Sequence, residues 1–368
     1  MMSRSRRPLR PARQNGAVII IVLWTAVLLT VLVTAMASKV RLSANTAFHN
    51  QQGVDQWAAV MEAVDKTYME LMFKEMPRPI GEVQPTDEDG EILQDEYRFN
   101  GRPLDLAYPV NKDMVVRVYD HAGKISLNRI PRRNIQAIIE KRLGGVDADP
   151  EQVQDLLEAW TDWTDLNDVE MPNGAEADYY QSLDPPYTPR NNPELETVEE
   201  ILQIRGFAEL FEGVNLDAAF TVYGNNRQVN LNLATREAMQ MLPGLDDELI
   251  ERIIAYREKK DINTRGELDE IIPFESLVEL SAWVGNTTST VYSLFVYPKL
   301  ALSEAFQAQL NAAEDDGVDI NPDPVVQAYM EIVETRGFNS PPRVYKVDPY
   351  AYLPDTAPAR VNQYDIEY

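Results

Sequence analysis

Residues 13–37 read RQNGAVIIIVLWTAVLLTVLVTAMA, and this stretch decides how the fold begins. The segment from Ala17 to Ala37 is uncharged and mostly apolar, and a helix of about 20 such residues spans a bilayer. The change from polar to apolar residues occurs at Gly16. A secretory signal peptide would instead carry its small-residue cleavage site after the apolar run. The stretch therefore predicts a transmembrane helix that begins directly after a glycine.

The residues before Gly16 indicate the orientation of this helix. They include five arginines and no acidic residue, the arginines being Arg4, Arg6, Arg7, Arg10 and Arg13. Positive charge beside a span stays in the cytoplasm, so we expect the N-terminus there and the residues after Ala37 outside it. A generic single-pass signal anchor would show the same features. The rest of the chain must therefore show whether the glycine at the start of the span has a more specific meaning.

The composition restricts the possible functions of the body. The formal net charge of the 368 residues is −25, and loss of the five leader arginines would make it −30. Such an acidic body repels phosphate backbones, so we expect no nucleic-acid partner. Carboxylates are, however, the ligands that calcium prefers. The chain has no cysteine, and its two histidines are His49 and His121, which excludes disulfides, thiolate sites and a histidine-rich zinc centre.

The patterning predicts an α+β fold, in which a long N-terminal transmembrane helix packs on a small antiparallel sheet. Apolar residues recur at helical spacing between Val54 and Met72, and no proline interrupts residues 17–76. We expect one helix over 17–76, with 17–37 in the membrane. The proline-containing segment 77–112 is expected to be a loop.

Alternating apolar residues predict the strands of the sheet. One hairpin is expected from strands at 114–119 and 124–128, joined by the turn 120–123. A second hairpin is expected over 220–234, around the turn 224–226. Further strands are expected at 289–297, 325–335 and 344–352, and the acidic residues 301–324 are interpreted as a connector.

Two helical blocks separate these strands. Helices are expected at 134–143, 150–163, 196–205, 236–241, 246–259 and 266–272, with Thr235 as the N-cap of the fourth. We interpret the blocks as two insertions that are SAM-like or helix-hairpin-helix-like. The expected organisation is a leader (1–16), the N-terminal helix (17–76), a first sheet part (77–129), a first helical insertion (130–219), a hairpin (220–234), a second helical insertion (235–287), and C-terminal strands with a tail (288–368).

Several segments together resemble one known family. They are LEAWTDW at 157–163, PNGAEADYY at 172–180, LDPPY at 183–187, ETVEEIL at 196–202 and VNLNLAT at 229–235. With the leader-Gly16 junction and the early Trp24, they resemble the minor pseudopilin K of type II secretion. The resemblance implies a non-enzymatic protein at the tip of the pseudopilus, and it extends from Gly16 to about Tyr352.

The resemblance also implies processing and partners. Prepilin peptidase would cut between Gly16 and Ala17, and the Ala17 amine would be N-methylated. The mature chain would cross the bacterial inner membrane once, with its body in the periplasm. The implied partners are the minor pseudopilins I and J, the inner-membrane assembly platform, the secretin and secreted cargo. A type IV pilus tip subunit is the paralogous alternative.

Ile21 occupies mature position five, where most pilin-like proteins carry a glutamate. A carboxylate within a bilayer costs roughly 2.5–3.5 kcal/mol unless it is paired. In pilin-like filaments this glutamate is thought to pair with the N-terminal amine of the subunit above. A subunit at the tip has no subunit above it. We therefore interpret Ile21 as the mark of a tip subunit, as in the K pseudopilins that this chain resembles.

An acidic segment predicts a calcium site. The candidate ligands are Asp162, Asp165, Asn167, Asp168, Glu176 and Asp178. Glu170 lies in the same acidic segment. Calcium takes 6–8 oxygen ligands, and the K pseudopilins that this chain resembles bind calcium in this region. The spacing is not that of an EF-hand, because the central glycine and the glutamate at position twelve are absent. A solvated acidic loop is the alternative, but the flanking tryptophans and tyrosines favour a folded segment.

Residues 242–257 support a rival interpretation. The run LPGLDDELI followed by RIIAYR resembles a helix-hairpin-helix motif, as found in membrane-anchored, competence-like DNA-binding proteins. The second turn glycine of such motifs is replaced here by Asp246, and the carboxylates around it would repel phosphate. The apolar residues are then interpreted as core, namely Leu242, Leu245, Leu249, Ile253 and Ile254. A glycoside hydrolase would need a pair of carboxylates, such as Asp162 with Asp165 or Glu176 with Asp178. This interpretation has little support, because sequence spacing does not establish the distance required between the two carboxylates.

Overall fold

The computed structural model describes residues 16–74, 99–189, 192–299 and 326–354. The chain divides into two compact units, Met1–Ala58 and Ala59–Tyr368. Helix α1 runs over Gly16–Lys74, which confirms the helix predicted over 17–76 to within two residues at its end. In its most apolar 18-residue window the mean hydropathy is 2.7 and no residue is buried. Among the described residues it is the one helix that is long and apolar enough to cross a membrane.

The second unit contains a sheet and a helical block. Its strands are Asn100–Pro103 (β1), Met114–Asp120 (β2), Ile125–Ser126 (β3), Phe220–Thr221 (β4), Val291–Pro298 (β5), Gln327–Glu334 (β6) and Arg343–Tyr352 (β7). Its helices after α1 are Arg132–Arg142 (α2), Pro150–Thr164 (α3), Ala177–Gln181 (α4), Phe207–Leu210 (α5), Leu216–Ala219 (α6), Arg236–Met241 (α7), Asp247–Arg257 (α8), Arg265–Ile271 (α9) and Phe274–Leu280 (α10). In the described part of this unit, short 3-10 helices lie at His121–Gly123, Gly145–Asp147 and Val198–Gln203.

Five strands form one antiparallel sheet in the order β1-β2-β5-β6-β7. Side chains alternate between its faces, and one face packs on the last turns of α1. Val60, Val64 and Leu71 of α1 belong to the same buried cluster as Leu294 and Val296 of β5. The predicted α+β fold class is therefore confirmed, with the long helix on a small antiparallel sheet.

The same α1–sheet interface contains a buried carboxylate. Glu331 of β6 accepts hydrogen bonds from the hydroxyls of Tyr68 on α1 and Tyr329 on β6. Both tyrosines are packed in the interface. Their burial raises the pKa of both hydroxyls, and the hydrogen bonds to Glu331 raise it further. The charge is thus satisfied inside the protein, and it links the helix to the sheet.

Helices α2 to α10 lie between β2 and β5 in the chain. One buried cluster reaches from Ile125 to Trp283 and includes residues of both predicted helical insertions, such as Ile139 and Ile253. Helices occupy both predicted blocks, and the two blocks share a single apolar core. The cap at Thr235 is confirmed as well, since its hydroxyl accepts from the Ala238 amide.

The hairpin predicted around residues 120–123 is wrong. The Asp120 carboxylate accepts from the Ala122 amide at 2.8 Å, which turns the chain into a 3-10 helix. It also accepts from the Ser289 amide at 3.0 Å, next to the pairing of β2 with β5. Strand β3 instead pairs in parallel with β4. A side chain that binds local backbone amides has therefore overridden the turn pattern.

The hairpin predicted over 220–234 is also wrong. Strand β4 ends at Thr221, and Val229 makes an isolated bridge to Val284. The buried Asn230 side chain accepts from the Asn232 amide at 3.0 Å, which turns the backbone out of an extended course. Asn232 then binds both backbone groups of Ile262.

Other predicted boundaries differ in smaller ways. Strand β1 lies inside the segment predicted as a loop. The helix expected over 196–205 is a 3-10 helix over Val198–Gln203. The connector at 301–324 and the leader before Gly16 lie outside the described residues.

Polar contacts join the helical block to the sheet. The buried His121 ring lies 2.7 Å from both Thr221 Oγ1 on β4 and Ser293 Oγ on β5. On the other side, Lys346 Nζ of β7 pairs with Glu199 and Asp217 of the block at 2.9 and 3.0 Å. These contacts hold the block on the sheet.

Candidate metal centre and helix-hairpin-helix turn

Three of the predicted ligands come together at the end of α3. Asp162 lies on its last turn, Asp165 directly follows the helix, and Glu176 is the residue before α4. Carboxylate oxygens of the three lie within 4.8 Å of one another. Asp162 is fully buried because the last turns of α3 face the aromatic core through Trp160 and Trp163. The fold therefore gathers three oxygen ligands at one point.

Asp162 shapes the loop that closes over this point. Its carboxylate accepts from the amides of Met171 at 3.1 Å and Ala175 at 2.9 Å. Gly174 permits this close approach, because a Cβ there would lie 1.7 Å from Asp162 Oδ2. Burial raises the pKa of Asp162, the two amides lower it, and Asp165 raises it further.

The Glu176 carboxyl group is buried in unfavourable surroundings. The residue is 4% exposed, and neither carboxylate oxygen has a hydrogen-bond partner in the part of the chain that the structure describes. Burial raises the pKa of Glu176 to about 7, and the charges of Asp162, Asp165 and Asp168 raise it too. Buried polar groups are almost always satisfied, so an orphaned carboxylate beside two others fits a divalent cation with hard oxygen preference.

The other predicted ligands have different surroundings. Asp168 is exposed, but its charge acts on Glu176, so it lies near the three carboxylates. The Asn167 amide donates to Asp165 at 2.7 Å and accepts from the Val169 amide at 2.9 Å, which is a turn contact. Asp178 is exposed in the first turn of α4, and it is not one of the three carboxylates that lie within 4.8 Å of one another.

An aromatic layer supports the loop from behind. Trp163 stacks edge to face on Tyr180 at 5.0 Å, and Tyr187 lies 5.1 Å from Tyr180. The Trp163 indole donates to Glu200 at 3.1 Å. These contacts confirm that the acidic segment is folded, as its flanking aromatic residues predicted.

Sequence reasoning missed two supporting residues. Glu158, one helical turn before Asp162, accepts from the Asn173 amide at 2.7 Å. The Arg205 guanidinium donates to the Asn173 carbonyl and lies over the Tyr179 ring. Glu158 could have been found from the sequence, because it lies four residues before Asp162 and therefore on the same face of the helix. Arg205 lies far along the chain, and no local pattern pointed to it.

The second feature is the turn between α7 and α8. Gly244 has a φ of +73°, and the Asp246 carboxylate caps α8 by accepting from the Leu249 amide at 2.8 Å. Lys141 of α2 donates to the carbonyls of Leu242 at 2.6 Å and Leu245 at 2.8 Å. Burial lowers the pKa of Lys141 to about 8. The Asp246 carboxylate and the Lys141 ammonium group therefore already bind backbone groups at this turn.

The apolar residues of this hairpin are core, as predicted. Leu242, Leu245, Leu249 and Ile253 are buried, and the half-buried Ile254 packs against the same cluster. The helix-hairpin-helix motif thus contributes its apolar side to the shared core of the helical block.

Two family models match this chain. Residues 124–211 match the family described as "Type II secretion system (T2SS), protein K". Residues 224–276 match the helix-hairpin-helix motif. The first match covers α2 to α5 with the whole carboxylate cluster. The second match covers α7, α8 and the turn between them.

Known proteins show the same resemblance. "Type II secretion system protein K" of Aeromonas hydrophila is 23% identical over 318 residues, which cover 78% of this chain and 94% of that protein. A solved structure titled "The Crystal Structure of the GspK-GspI-GspJ complex from enterotoxigenic Escherichia coli Type 2 Secretion System" aligns with a TM-score of 0.46 and 12% identity, covering 82% of this chain and 98% of the other.

The fold combines a helix with an apolar first part, an antiparallel sheet that packs on the last turns of that helix, and a large helical block between β2 and β5. The K-family match and the Aeromonas relative confirm the resemblance predicted from the sequence, that of a type II secretion K pseudopilin. That family is a structural component of the secretion system and is not known as an enzyme.

Proposed function

We propose that this chain is the minor pseudopilin at the tip of the type II secretion pseudopilus, where it assists initiation of the filament and export across the outer membrane. One observation carries the proposal. A single 59-residue helix begins at Gly16, has an apolar first part, and supports a sheet whose adjacent strands β2 and β5 are separated by a K-family helical block. In this proposal the helical block closes the filament at its tip.

Processing and topology form the first part of the proposal. Prepilin peptidase cleaves between Gly16 and Ala17, and the new Ala17 amine is methylated. The N-terminus faces the cytoplasm because the leader is basic, and the body lies in the periplasm. Mass spectrometry of the full-length protein, expressed with and without prepilin peptidase, tests this. A mature N-terminus at Ala17 is expected with the peptidase, and a retained leader in both samples would contradict it.

The tip position rests on Ile21. This side chain is 63% exposed on α1, where a glutamate would need an amine from a neighbouring subunit. The partners proposed for α1 are the minor pseudopilins I and J, with Ala26 and Ala35 permitting close helix approach. Assembly involves the inner-membrane platform, and the body faces the secretin and cargo. Ile21→Glu should leave filament initiation unchanged or reduce it, and a gain would contradict the tip position.

Calcium is the cofactor that we propose for the carboxylate cluster. Asp162, Asp165 and Glu176 supply three oxygen ligands, the loop supplies carbonyls, and Asp168 lies near enough to act on Glu176. Bound calcium would compensate the orphaned Glu176 charge. Elemental analysis of the purified full-length protein should find calcium, and its loss in the double variant Asp165→Asn/Glu176→Gln would locate it. Calcium retained by that variant would place it elsewhere.

DNA binding is the second candidate function, because residues 224–276 match the helix-hairpin-helix motif. The surroundings of the turn oppose it. The Asp246 carboxylate caps α8 where a phosphate would bind, and Asp247 and Glu248 follow it. We expect no gel shift of duplex DNA by the full-length protein at low salt. A salt-sensitive shift would favour this candidate over the tip pseudopilin.

A further inference from the structure

An open groove lies beside the helix-hairpin-helix turn, and we call it the hairpin groove. It has a volume of about 940 Å³ and is bounded by α2, the start of α3, the α7–α8 turn and α10. Its apolar lining includes the buried Val153, Leu249 and Trp283. At its rim, Val146 is fully exposed in the turn between α2 and α3. Val146 therefore extends the apolar lining of the groove out to its rim.

The walls of the groove are held in place before any partner binds. Gly244, with its positive φ, packs so closely on α10 that a Cβ would lie 2.9 Å from the Ser276 carbonyl. Lys141 ties α2 to the turn through the carbonyls of Leu242 and Leu245. A groove with fixed walls loses little conformational entropy on binding.

The charge at the groove is negative. Glu140, Asp246 and Glu279 contribute carboxylates to its lining, and Lys141 is the one cation among the lining residues. The Lys141 ammonium already donates to two carbonyls of the turn. The carboxylates therefore exceed the positive charge, which excludes phosphate-rich partners and favours cationic ones.

We propose that the hairpin groove binds a segment of a partner protein that combines lysine or arginine with apolar side chains. The apolar anchors bind over Val153, Leu249 and Trp283, and the cationic groups pair with Glu140 and Glu279 at the edges. Recognition by apolar anchors in a groove with charges at its rim is a recurring mode of peptide binding. Binding in the hairpin groove does not require that the chain lies at the tip of a filament.

The test uses full-length protein in phosphatidylcholine nanodiscs and a fluorescein-labelled twelve-residue peptide with leucines at i and i+4 and lysines between them. Fluorescence anisotropy measures its dissociation constant, and empty nanodiscs give the background. We expect saturable binding that weakens as salt rises. An analogue with glutamate in place of lysine should not bind. Equal binding of both peptides, or no saturable binding of the lysine peptide, would overturn the proposal.

Two matched double variants locate the site. Glu140→Lys/Glu279→Lys reverses the groove charge and should weaken binding by about tenfold or more. Asp269→Lys/Glu275→Lys makes the same change in net charge at exposed residues that do not line the groove, and should leave the affinity within about twofold. Val146→Ser, at an exposed position, removes apolar surface at the rim without changing the charge, keeps the core and should also weaken binding. Equal effects of the two double variants would contradict the site.

Discussion

Glu331 on β6 and Glu176 before α4 are both buried, 6% and 4% exposed, but their carboxylates have different surroundings. Glu331 accepts hydrogen bonds from two tyrosine hydroxyls. Glu176 has no hydrogen-bond partner among the described residues, and three other carboxylates raise its pKa. Burial alone therefore does not identify a functional charge. The difference lies in whether the protein itself supplies donors, and only the second carboxylate is left for an external ligand.

The largest expected effect belongs to the satisfied carboxylate. Glu331→Ala leaves the hydroxyls of Tyr68 and Tyr329 without their acceptor and opens a cavity, so the free energy of unfolding should fall by about 3–4 kcal/mol. Chemical denaturation of the full-length protein in detergent measures it. Tyr329→Phe, which removes one donor, should cost about 1 kcal/mol. A loss below that value for Glu331→Ala would show that the network is not needed.

Removal of calcium should affect the other carboxylate. With calcium at about 100 times its dissociation constant, a chelator should lower the unfolding free energy by about 2.7 kcal/mol. The melting temperature of the full-length protein, with and without chelator, reports the change. Glu331→Ala should keep the response to chelator, and Glu176→Gln should lose most of it. An unchanged melting temperature of the native sequence in chelator would show that calcium does not stabilise the protein.

The pH dependence of the metal-free protein sharpens the contrast further. The folded-state pKa of Glu176, about 7, lies above its ordinary value of 4.5, so the folded state binds the proton more tightly. Lowering the pH from about 8 to about 5.5 in chelator should therefore stabilise the native sequence by about 2 kcal/mol relative to Glu176→Gln. Denaturation curves at the two pH values test this. The opposite sign would show that Glu176 is satisfied when ionised.

Asp246 provides a third and smaller case, since its carboxylate is exposed and accepts from one backbone amide. Asp246→Ala removes the N-cap of α8 and should cost about 1 kcal/mol. Denaturation in calcium and in chelator should give the same loss, because the residue lies outside the carboxylate cluster. A loss that depends on calcium would connect the hairpin to the metal site.

Sequence patterns predicted those parts of the fold that local interactions determine. The uncharged run after Gly16, the N-cap at Thr235 and the apolar strand at 291–298 each carry their signal within a few residues. The two hairpins failed because buried side chains decide those turns. Asp120 and Asn230 bind backbone amides, and nothing in the alternation of apolar residues reveals that they are buried.

The site was predictable as a region and not as a set of ligands. The density of acidic residues between 162 and 178 located it, but density does not distinguish a ligand from a turn residue such as Asn167. That distinction depends on Gly174, which lets the loop approach Asp162, and on Arg205, which comes from a distant part of the chain. Such contacts arise from tertiary packing, which no short window of sequence contains.

The position of the helical block between β2 and β5 has a consequence for how such a protein could arise. These strands are neighbours in the sheet, and the Asp120 carboxylate at the end of one accepts from the Ser289 amide just before the other. Topologically, the block is a hairpin loop that has grown to the size of a domain. Because its two ends lie side by side, it could be acquired, exchanged or shed as a cassette, while the strand pairing of the ancestral sheet stays intact.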